Sequence, residues 1–346
     1  MRVAVVNAMA PFLWGGAEEL ALHLTHNLRR AGHDARLIGI PFNWEPYSDI
    51  PTEMARLKAL RIDGYDRVIS LKFPIYLIGA ENHVTWLIHQ YRQAYDLWET
   101  PYTNLPHSIE GDQVRDLIVA TDNAVLGSRH KLFTISDEVS DRLRRFNNIE
   151  APALKLPLND PDVFIGGAYG DYILAPGRVN SMKRQWLLVE AMRHMDRDAR
   201  LIIAGPPEVP ADAEQLRRLV QDYGLADRVK LDLRFMDRAE VVDYVNNCRA
   251  VAYLPYMEDA YGYVTMEANE AGKAVITAQD SGAVCQLVQD GSTGLTVEPE
   301  PEALAQAMSS YLKDERLARE HGDAARQYWH SLGINWGEII SRLLES

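Results

Sequence analysis

The stretch that decides the fold is Val251–Ala271, with the sequence VAYLPYMEDAYGYVTMEANEA. It opens with Val251–Tyr256, a run of mostly β-branched and aromatic residues that predicts a buried strand. Two carboxylates follow at Glu258 and Asp259, and a helix is predicted to begin near Tyr263. In open α/β sheets, ligands bind at the carboxyl ends of the strands, where loops of this kind lie. The stretch therefore predicts an α/β fold with a site at this loop.

Short apolar runs alternate with amphipathic stretches along the first half of the chain. The predicted strands there are Arg2–Asn7, Ala35–Gly39, Asp66–Ser70, Val84–Ile88, Lys131–Ile135 and Ala153–Leu156. The predicted helices are Ala17–Ala31, Gly111–Leu126 and Asp137–Phe146, and the segments predicted to be loop-rich are 41–65 and 92–110. Because strands and helices alternate, we expect βαβ units and a mostly parallel sheet.

A segment with a proline and three glycines, Leu158–Gly170, predicts a linker, after which the alternation starts again. The further predicted strands are Tyr172–Ala175, Leu201–Ala204, Val229–Leu233, Val251–Pro255, Ala274–Thr277 and Gly294–Val297. The predicted helices are Ser181–Met195, Asp212–Tyr223, Asp237–Asn247, Tyr263–Ala271, Ala283–Gln289, Pro301–Leu312, Glu315–His330 and Asn335–Glu345. We therefore expect two doubly wound domains that face one cleft.

Composition and charge narrow the functional classes. With 346 residues the chain is long enough for two domains with separate cores. Its net charge of −13 argues against nucleic acid as a partner, since phosphates need a basic surface. No segment approaches the ~20 apolar residues of a membrane-spanning helix, and the N-terminus lacks the layout of a signal peptide. The two cysteines, Cys248 and Cys285, are too few for a disulfide framework, which favours a reducing, cytoplasmic compartment.

Gly15 and Gly16 lie in the sequence PFLWGGAE, residues 11–18, between the first strand and the first helix. Paired glycines let the backbone approach a ligand closely, and a helix N-terminus offers unpaired N–H groups to an anion. The segment is neither a G-x-G-x-x-G motif nor a Walker loop. A tight turn without a ligand explains it equally well.

Three basic residues follow the strand that ends at Ala175, namely Arg178, Lys183 and Arg184. Cations at the carboxyl end of a strand can neutralise the charge that develops on a diphosphate leaving group, without a metal. Arginine can contact two phosphate oxygens at once, whereas lysine acts as a point charge. The alternative is a solvated helix face, but the position beside the loop that carries Asp259 favours the site.

Two other patterns carry less information. His89 ends a predicted strand, where it could bind a sugar hydroxyl or equally be a structural histidine. Acidic pairs with the spacing D-x-D, which can hold a metal on a diphosphate, occur at Asp160/Asp162 and Asp196/Asp198. One pair lies in the linker and the other precedes a strand, so we attribute both to the acidic composition.

The pair Asp259 and Glu267 is the most informative pattern. A loop carboxylate near a sugar can accept hydroxyl hydrogen bonds and stabilise an oxocarbenium-like transition state. A carboxylate in the following helix can bind a ribose diol, as acidic residues do in dinucleotide-binding folds. A solvated acidic loop is the alternative, but the apolar strand before it and Gly262 at the helix entry favour a site.

At this point the chain resembles the retaining sugar-nucleotide glycosyltransferases of family 4, the group 1 glycosyltransferases with the GT-B architecture. The matching segments are GGAEELALHLTHNLRRAGHDARLIG (Gly15–Gly39), WLIHQYRQAYDLW (Trp86–Trp98), TISDEVSDRLRRF (Thr134–Phe146), APGRVNSMKRQWLLVEAM (Ala175–Met192), EDAYGYVTMEA (Glu258–Ala268) and VQDGSTGLTVEPEPEALAQAM (Val288–Met308). They cover most of the chain in order, so the resemblance is more specific than any one motif.

The resemblance implies a function for each matching residue. The implied catalytic residues are Asp259, Arg178, Lys183 and His89. The implied donor-binding residues are Gly15, Gly16, Glu258, Tyr261, Gly262, Tyr263, Val264, Glu267, Gly205, Phe235 and Met236. Among them, Glu267 would hold the nucleotide ribose, and Phe235 and Met236 would cradle the base.

One position departs from the family. The first glutamate of its E-x7-E motif is Asp259 here, with Glu258 one place earlier. Asp is shorter by one methylene, about 1.5 Å of reach. Either the sugar lies nearer, or Glu258 turns inward, or activity is weak or absent.

The resemblance implies a retaining hexosyltransferase that needs no metal or other cofactor. Its donor would be GDP-mannose or a UDP-hexose and its acceptor a glycan or lipid-linked hydroxyl, in cell-surface polysaccharide or glycolipid synthesis. The expected domains are an acceptor-side domain over 1–160, a donor-binding domain over 161–330 and a helix over 331–346 that crosses back to the first domain. Peripheral membrane contact could come from Arg142, Arg144 and Arg145, although a solvated helix face is the favoured alternative.

Two other functions stay open. A sugar-nucleotide epimerase with the same fold would alter the sugar without an acceptor. A sugar-nucleotide-binding subunit with a decayed site would bind the donor without transferring it, and Asp259 motivates that alternative.

Overall fold

The chain folds into two compact units, each built around its own sheet. The computed structural model describes residues 1–9, 14–129 and 131–345. The first unit comprises Met1–Pro157 and Ile334–Ser346, and the second comprises Leu158–Gly333. The second unit begins inside the segment predicted as a linker. Among the helices of the described residues, none is long and apolar enough to cross a bilayer.

The first unit contains a five-stranded parallel sheet. Its strands, in chain order, are β1 (Arg2–Met9), β2 (Asp34–Pro41), β3 (Arg67–Ser70), β4 (His83–Leu87) and β5 (Leu132–Thr134). They lie in the order β2-β1-β3-β4-β5, and every pairing is parallel. The middle strands are buried on both faces, as their continuous apolar runs predict.

Four helices of this unit connect or follow those strands. They are α1 (Gly16–Arg30), α2 (Ile50–Ala59), α3 (Ile109–Gly127) and α4 (Asp137–Asn147). The hydroxyl of Ser136 caps α4 by accepting a hydrogen bond from the Val139 amide at 3.1 Å. Such a cap satisfies one of the N–H groups that a helix start leaves without an intrahelical partner.

The second unit contains a six-stranded parallel sheet. Its strands are β6 (Tyr172–Pro176), β7 (Arg200–Ala204), β8 (Val229–Asp232), β9 (Ala250–Ala252), β10 (Val275–Ala278) and β11 (Gly294–Val297). They lie in the order β11-β10-β9-β6-β7-β8. The connecting helices are α5 (Gln185–Ala191), α6 (Pro210–Asp222), α7 (Arg238–Asn247), α8 (Tyr263–Glu270), α9 (Val284–Leu287), α10 (Pro301–Lys313) and α11 (Glu315–Ser331).

The last helix, α12 (Trp336–Leu344), belongs to the first unit. Its indole ring at Trp336 packs edge-on against Trp86 of β4, with ring centroids 6.3 Å apart. The guanidinium of Arg67 donates to the carbonyl oxygens of Leu344 and Glu345 at 3.1 and 2.7 Å. The first unit therefore includes a helix whose residues follow the whole second unit in the chain.

Two predicted elements of the first unit were wrong. Ala153–Leu156 is not a strand, and Ala153 forms only an isolated bridge with Thr134. Prolines at 152 and 157 flank this segment, and a proline has no N–H to donate to a sheet. Within the predicted loop 41–65, the structure has α2, whose buried Ile50, Met54 and Leu57 recur at helical spacing.

Several predicted elements of the second unit are shorter than expected, and two of them bear on the site. The predicted strand Val251–Tyr256 ends as β9 at Ala252, although the Tyr253 amide still donates to the Ile276 carbonyl at 2.9 Å. The predicted helix Ser181–Met195 is broken at Arg184, which has a left-handed backbone with φ of 52°. Only Gln185–Ala191 is α-helical, with a short 3-10 turn on either side.

Candidate active site

The strand order of the second unit places a switch point between β6 and β9. Counted within this unit, the order is 6-5-4-1-2-3, the reverse listing of the Rossmann order 3-2-1-4-5-6. At such a point the loops that follow the two central strands run in opposite directions and leave a crevice where ligands bind. Arg178 and Lys183 follow β6, and Tyr253 and Glu258 follow β9. The predicted basic and acidic residues therefore meet at the crevice.

Lys183 lies at the centre of this group. Its ammonium donates to the hydroxyl oxygen of Tyr253 at 2.7 Å and forms an ion pair with the carboxylate of Glu258. The Tyr253 hydroxyl also lies 3.2 Å from the Glu258 carboxylate, so it can donate there while it accepts from Lys183. Burial, reinforced by the charge of Glu258, raises the pKa of Tyr253 well above its usual value, so its proton stays in place.

Arg178 and Asp259 lie around the same tyrosine. The charge of Arg178 lowers the pKa of Tyr253 and that of Asp259 raises it, both less than burial and Glu258 do. The Arg178 side chain is 35% exposed, and its Nε lies 3.7 Å from the Glu208 carboxylate, which leaves it accessible to an anion. Asp259 is half-buried in the loop before α8.

Gly177 and Gly205 bring the backbones after β6 and β7 into contact. A Cβ at Gly205 would lie 2.1 Å from the Gly177 carbonyl oxygen, so no side chain fits there. The Gly177 amide also donates to the Ala204 carbonyl at 2.9 Å. This close approach fixes the loop that carries Arg178.

Arg184, unlike Lys183, is structural. Its guanidinium forms two hydrogen bonds with Asp280, at 2.6 and 2.7 Å, and its side chain is 5% exposed. It also donates to the carbonyl of Leu254 at 2.8 Å. Arg184 therefore does not lie on a solvated helix face, which was the alternative for this basic pair. It instead connects the loop after β6 to the loop after β9.

Helix α8 begins at the crevice, as the sequence predicted. Its N-cap is Gly262, whose φ of 73° is a conformation that side chains rarely adopt, and a Cβ there would lie 2.7 Å from the ring of Tyr253. The backbone of Tyr261 to Val264 thus passes directly beside the tyrosine, with Tyr261 buried and Tyr263 and Val264 half-buried. This helix start follows β9, so it lies at the carboxyl edge of the sheet, where a helix N-terminus can bind an anion.

Glu267 lies on the second turn of α8 and is 5% exposed. Its carboxylate forms an ion pair with Arg238 at the start of α7. Arg238 in turn forms an ion pair with Asp160, a residue of the predicted linker. One of the two D-x-D pairs therefore has a structural partner, and Asp196 of the other is paired with Lys313 at 2.6 Å.

The predicted base-binding residues lie in the loop between β8 and α7. Phe235 is 72% exposed, whereas Met236 is buried. An aromatic ring so exposed has a free face on which a planar base can stack. Asp237 then caps α7 through a capping box with Glu240, at 2.9 and 3.0 Å, which confirms the predicted helix start.

The first unit has its own switch point. Its strand order 2-1-3-4-5 reverses between β1 and β3, and Gly15 and Gly16 follow β1 there. The Glu18 carboxylate accepts from the Gly15 amide at 3.1 Å and from the Lys72 ammonium at 2.9 Å. Residues 11–13, the first part of the predicted segment 11–18, lie outside the described residues.

His89 follows β4 and is half-buried. Its Nδ1 lies 2.7 Å from the Gln90 carbonyl oxygen, which orients the ring. Beneath this segment lies the fully buried Asp122 of α3, which accepts hydrogen bonds from the hydroxyls of Tyr76 and Tyr95 at 2.7 and 2.8 Å. Burial raises the pKa of Asp122 to about 7.

Two residues of the site were missed by the sequence analysis. Tyr253 was assigned to the apolar strand, although a buried tyrosine hydroxyl needs a hydrogen-bond partner and so signals a polar neighbour. Arg238 carries no local signal, because its partners Asp160 and Glu267 are distant in sequence. In the part of the chain that the structure describes, no group of three or more His, Cys, Asp or Glu could hold a metal ion.

Comparison with known proteins finds a family match within the second unit and relatives that cover about half of the chain or more. The model of the family described as Glycosyl transferases group 1 matches residues 169–328. The D-inositol 3-phosphate glycosyltransferase of Corynebacterium glutamicum (strain R) is 30% identical over 176 residues, which are 48% of this chain and 40% of that protein. The enzyme of the same name from Mycobacteroides abscessus is 25% identical over 337 residues, 90% of this chain and 73% of that protein. The chain thus spans less than half the length of the first of these relatives.

Solved structures show the same architecture over nearly the full chain. Sucrose-phosphate synthase from Thermosynechococcus elongatus aligns with a TM-score of 0.74 at 19% identity, over 97% of this chain and 96% of that one. HepE of Anabaena, in complex with UDP and glucose, aligns with a TM-score of 0.70 at 13% identity, over 98% of both chains. The two Rossmann-like units therefore have the GT-B fold, and residues 169–328 are similar to the group 1 glycosyl transferases.

Proposed function

We propose that this protein is a retaining glycosyltransferase that transfers a hexose from a nucleotide sugar to an acceptor hydroxyl. The observation that carries the proposal is the group of Lys183, Tyr253, Glu258 and Arg178 at the switch point of the second unit, beside the N-terminus of α8. Two cations and a helix start at the carboxyl edge of a Rossmann sheet suit a diphosphate.

The reaction requires stabilisation of the negative charge that develops on the diphosphate leaving group. The bond between the sugar C1 and the diphosphate oxygen breaks, and a bond between C1 and the acceptor oxygen forms. Arg178 and Lys183 would stabilise the charge on the departing diphosphate, so no metal is required. The acceptor proton passes to the departing phosphate oxygen on the same face of the sugar, so no protein base is needed. Asp259 would orient the sugar hydroxyls.

The other predicted residues have parts in the same proposal. Glu267 would bind the ribose and Phe235 would stack on the base, with Met236 beneath it. His89 and the Gly15–Gly16 turn of the first unit would contact the sugar and its acceptor.

The similar proteins support a proposal for the donor and the acceptor. HepE was crystallised with UDP and glucose, and two relatives are named D-inositol 3-phosphate glycosyltransferase and alpha-maltose-1-phosphate synthase. We propose a UDP-hexose or GDP-mannose as donor and a glycan or lipid-linked hydroxyl as acceptor. The two free cysteines fit a reducing, cytoplasmic location.

A thermal-shift screen against UDP, GDP and their sugars tests the donor, since a specific ligand raises the melting temperature by linkage. The donor that binds is then incubated with candidate acceptors, with and without excess EDTA, and the anomeric configuration of the product is determined by NMR. Retention of configuration and full activity in EDTA support the proposal. Inversion would refute the retaining mechanism, and loss of activity in EDTA would refute its independence of metal.

A nucleotide-sugar-binding subunit without transferase activity is the second candidate. The ion pair between Lys183 and Glu258 favours this candidate, because Glu258 engages the cation that the diphosphate would need. Asp259 also favours it, because an aspartate reaches less far toward the sugar than a glutamate. Tight binding without transfer or hydrolysis, unrescued by Asp259→Glu, would support this candidate over the enzyme. Conversion of the donor sugar in the absence of any acceptor would instead indicate an epimerase.

A further inference from the structure

Arg238 joins three parts of the second unit at one guanidinium. Its Nε donates to Asp160 at 2.8 Å and its Nη2 to the other oxygen of the same carboxylate, so this contact is bidentate. Its Nη1 donates to Oε1 of Glu267. Its guanidinium carbon lies 4.8 Å from the ring centroid of Phe164, which is fully buried. The side chain therefore has one orientation that satisfies all three neighbours.

The charge of Arg238 is retained in this place. Burial alone would lower its pKa, but the hydrogen bond to Asp160 and the charge of Glu267 outweigh burial, and the net effect raises the pKa. Glu267 needs such a partner, because its side chain is only 7% exposed and a buried carboxylate without a counter-charge is costly. Removing Arg238 would take this counter-charge and its hydrogen bond away from the Glu267 carboxylate.

The geometry points to a function beyond packing. The position of Arg238 is set by Asp160 and Phe164, neither of which belongs to α8, so the direction of its third contact is fixed from outside that helix. A fixed donor on Oε1 holds the plane of the Glu267 carboxylate. Since hydrogen bonds to a ribose diol require a defined carboxylate orientation, this contact would determine how well the diol is bound.

We propose that Arg238 is a positioning residue for nucleotide recognition: clamped by Asp160 and Phe164, it holds Glu267 in the orientation that accepts the ribose hydroxyls of the donor. The inference rests on the proposed function, since it assigns Glu267 to the ribose. It adds a residue outside the matched motifs and gives the linker residue Asp160 a function in the donor site.

The test compares nucleotides with and without the ribose diol. Binding of UDP and 2′,3′-dideoxy-UDP, or of GDP and 2′,3′-dideoxy-GDP if the wild type binds guanine, is measured by calorimetry. We expect the wild type to prefer the ribonucleotide by at least about tenfold, as lost hydrogen bonds to a charged group predict. In Arg238→Ala this preference should fall to within about twofold of unity, with Arg238→Lys in between.

Matched controls separate positioning from stability. Arg234→Ala removes an arginine four residues earlier that forms an ion pair with Glu240 at 2.5 Å, and it should keep the wild-type preference. Asp160→Asn should reduce the preference, whereas Asp162→Asn, a change in the same turn at an exposed carboxylate, should not. The double variant Arg238→Ala/Glu267→Gln should lose no more of the ribonucleotide preference than Glu267→Gln alone. The reason is that the two changes remove the same contact, the one between Arg238 and Glu267.

The outcomes distinguish this inference from the proposed function. If the wild type binds neither nucleotide, the proposed function fails and the inference fails with it. If Glu267→Gln abolishes the preference while Arg238→Ala retains it, the donor site stands and the positioning of Glu267 by Arg238 is refuted. An equal loss of affinity for both nucleotides in Arg238→Ala, with the preference intact, would make Arg238 merely structural.

Discussion

At the scale of single residues, the candidate site depends on contacts that residue type alone does not reveal. Lys183 and Arg184 are adjacent and both basic, yet Lys183 faces Tyr253 and Glu258 at the switch point whereas Arg184 is buried on Asp280. The left-handed backbone of Arg184 separates the two side chains. Only the strand-end position of this pair could be predicted, because the partners of the two side chains are distant in sequence.

Lys183→Ala should lower turnover by roughly 100-fold or more, as removal of one transition-state donor does. Nucleotide affinity should change much less, because the lysine acts on charge that develops during transfer. Steady-state kinetics and calorimetry measure the two effects. Lys230→Ala is the control, since Lys230 likewise donates to a tyrosine hydroxyl, Tyr244, at 2.7 Å but lies on the surface. Equal losses in turnover and affinity would remove Lys183 from transition-state stabilisation.

Asp122 should make stability depend on pH. Burial raises its pKa from 3.8 to about 7, so between these values the folded chain keeps a proton that the unfolded chain has lost. The free energy of unfolding should therefore fall as the pH rises from about 4 to 7, by roughly 4 kcal/mol at most. Urea denaturation of the wild type and of Asp122→Asn across this range measures the difference between them.

The control for this prediction is Asp116→Asn, an exposed position on the same helix, which should run parallel to the wild type. A constant difference between the wild type and Asp122→Asn from pH 4 to 7 would contradict the raised pKa. The sequence could not indicate this group, because Tyr76 and Tyr95 reach Asp122 from segments that its helical pattern does not involve.

At the scale of elements, the start of α8 is the feature that shapes the site. Gly262 has a φ of 73° and lies against Tyr253, so the helix can begin at the crevice only without a side chain at its N-cap. The stretch Val251–Ala271 predicted that Gly262 lies at a helix entry and that a helix follows with Glu267 on its second turn. The stretch did not predict that the strand ends at Ala252. The residues after Ala252 are still apolar, although they already belong to the loop.

Gly262→Ala should destabilise the protein by more than the backbone strain of about 1–3 kcal/mol, because its Cβ would also lie 2.7 Å from the Tyr253 ring. Gly291→Ala is the matched control, with a φ of 67° and no atom within 4 Å of its Cβ. Thermal denaturation should show a larger loss at Gly262, together with a loss of nucleotide binding. Similar losses at both positions would mean that the tyrosine gives way.

Element boundaries elsewhere followed local chemistry. The starts of α4 and α7 agree with the predicted helices, because Ser136 and Asp237 cap amides only three residues away. Helix α2 was missed because its short apolar pattern lies in a segment with several prolines. The false strand at Ala153–Leu156 has the opposite cause, since its pattern is strand-like but its flanking prolines cannot donate.

At the scale of the whole molecule, the repetition of strand and helix predicted two doubly wound domains, and the resemblance to the group 1 glycosyltransferases implied the GT-B fold. It could not predict the strand orders, since these depend on pairings between residues far apart in the chain. The strand orders matter for function, because they place the switch points and hence the Lys183 and Gly15 loops. The group 1 match over residues 169–328 covers the unit in which most of the predicted donor residues lie.

Deleting residues 334–346 should destabilise the first unit and spare the second. Ile339, Ile340 and Leu343 of α12 are buried, and each buried aliphatic side chain contributes about 1.5–3 kcal/mol. Hydrogen exchange resolved by peptide should speed up in β3 and β4 and stay unchanged in β6 and β7. Uniform acceleration in both sheets, or none in either, would contradict the assignment of α12 to the first unit.

This division of the first unit between the two ends of the sequence has a consequence during synthesis. The surface of Trp86 that Trp336 covers emerges from the ribosome early, and its cover emerges only after residues 158–333 have been translated. At about 5–20 residues per second, that interval lasts roughly 10–35 s. For that time the first unit lacks α12 while the second unit is still being made, which makes the nascent chain a natural client for chaperones that shield apolar surface.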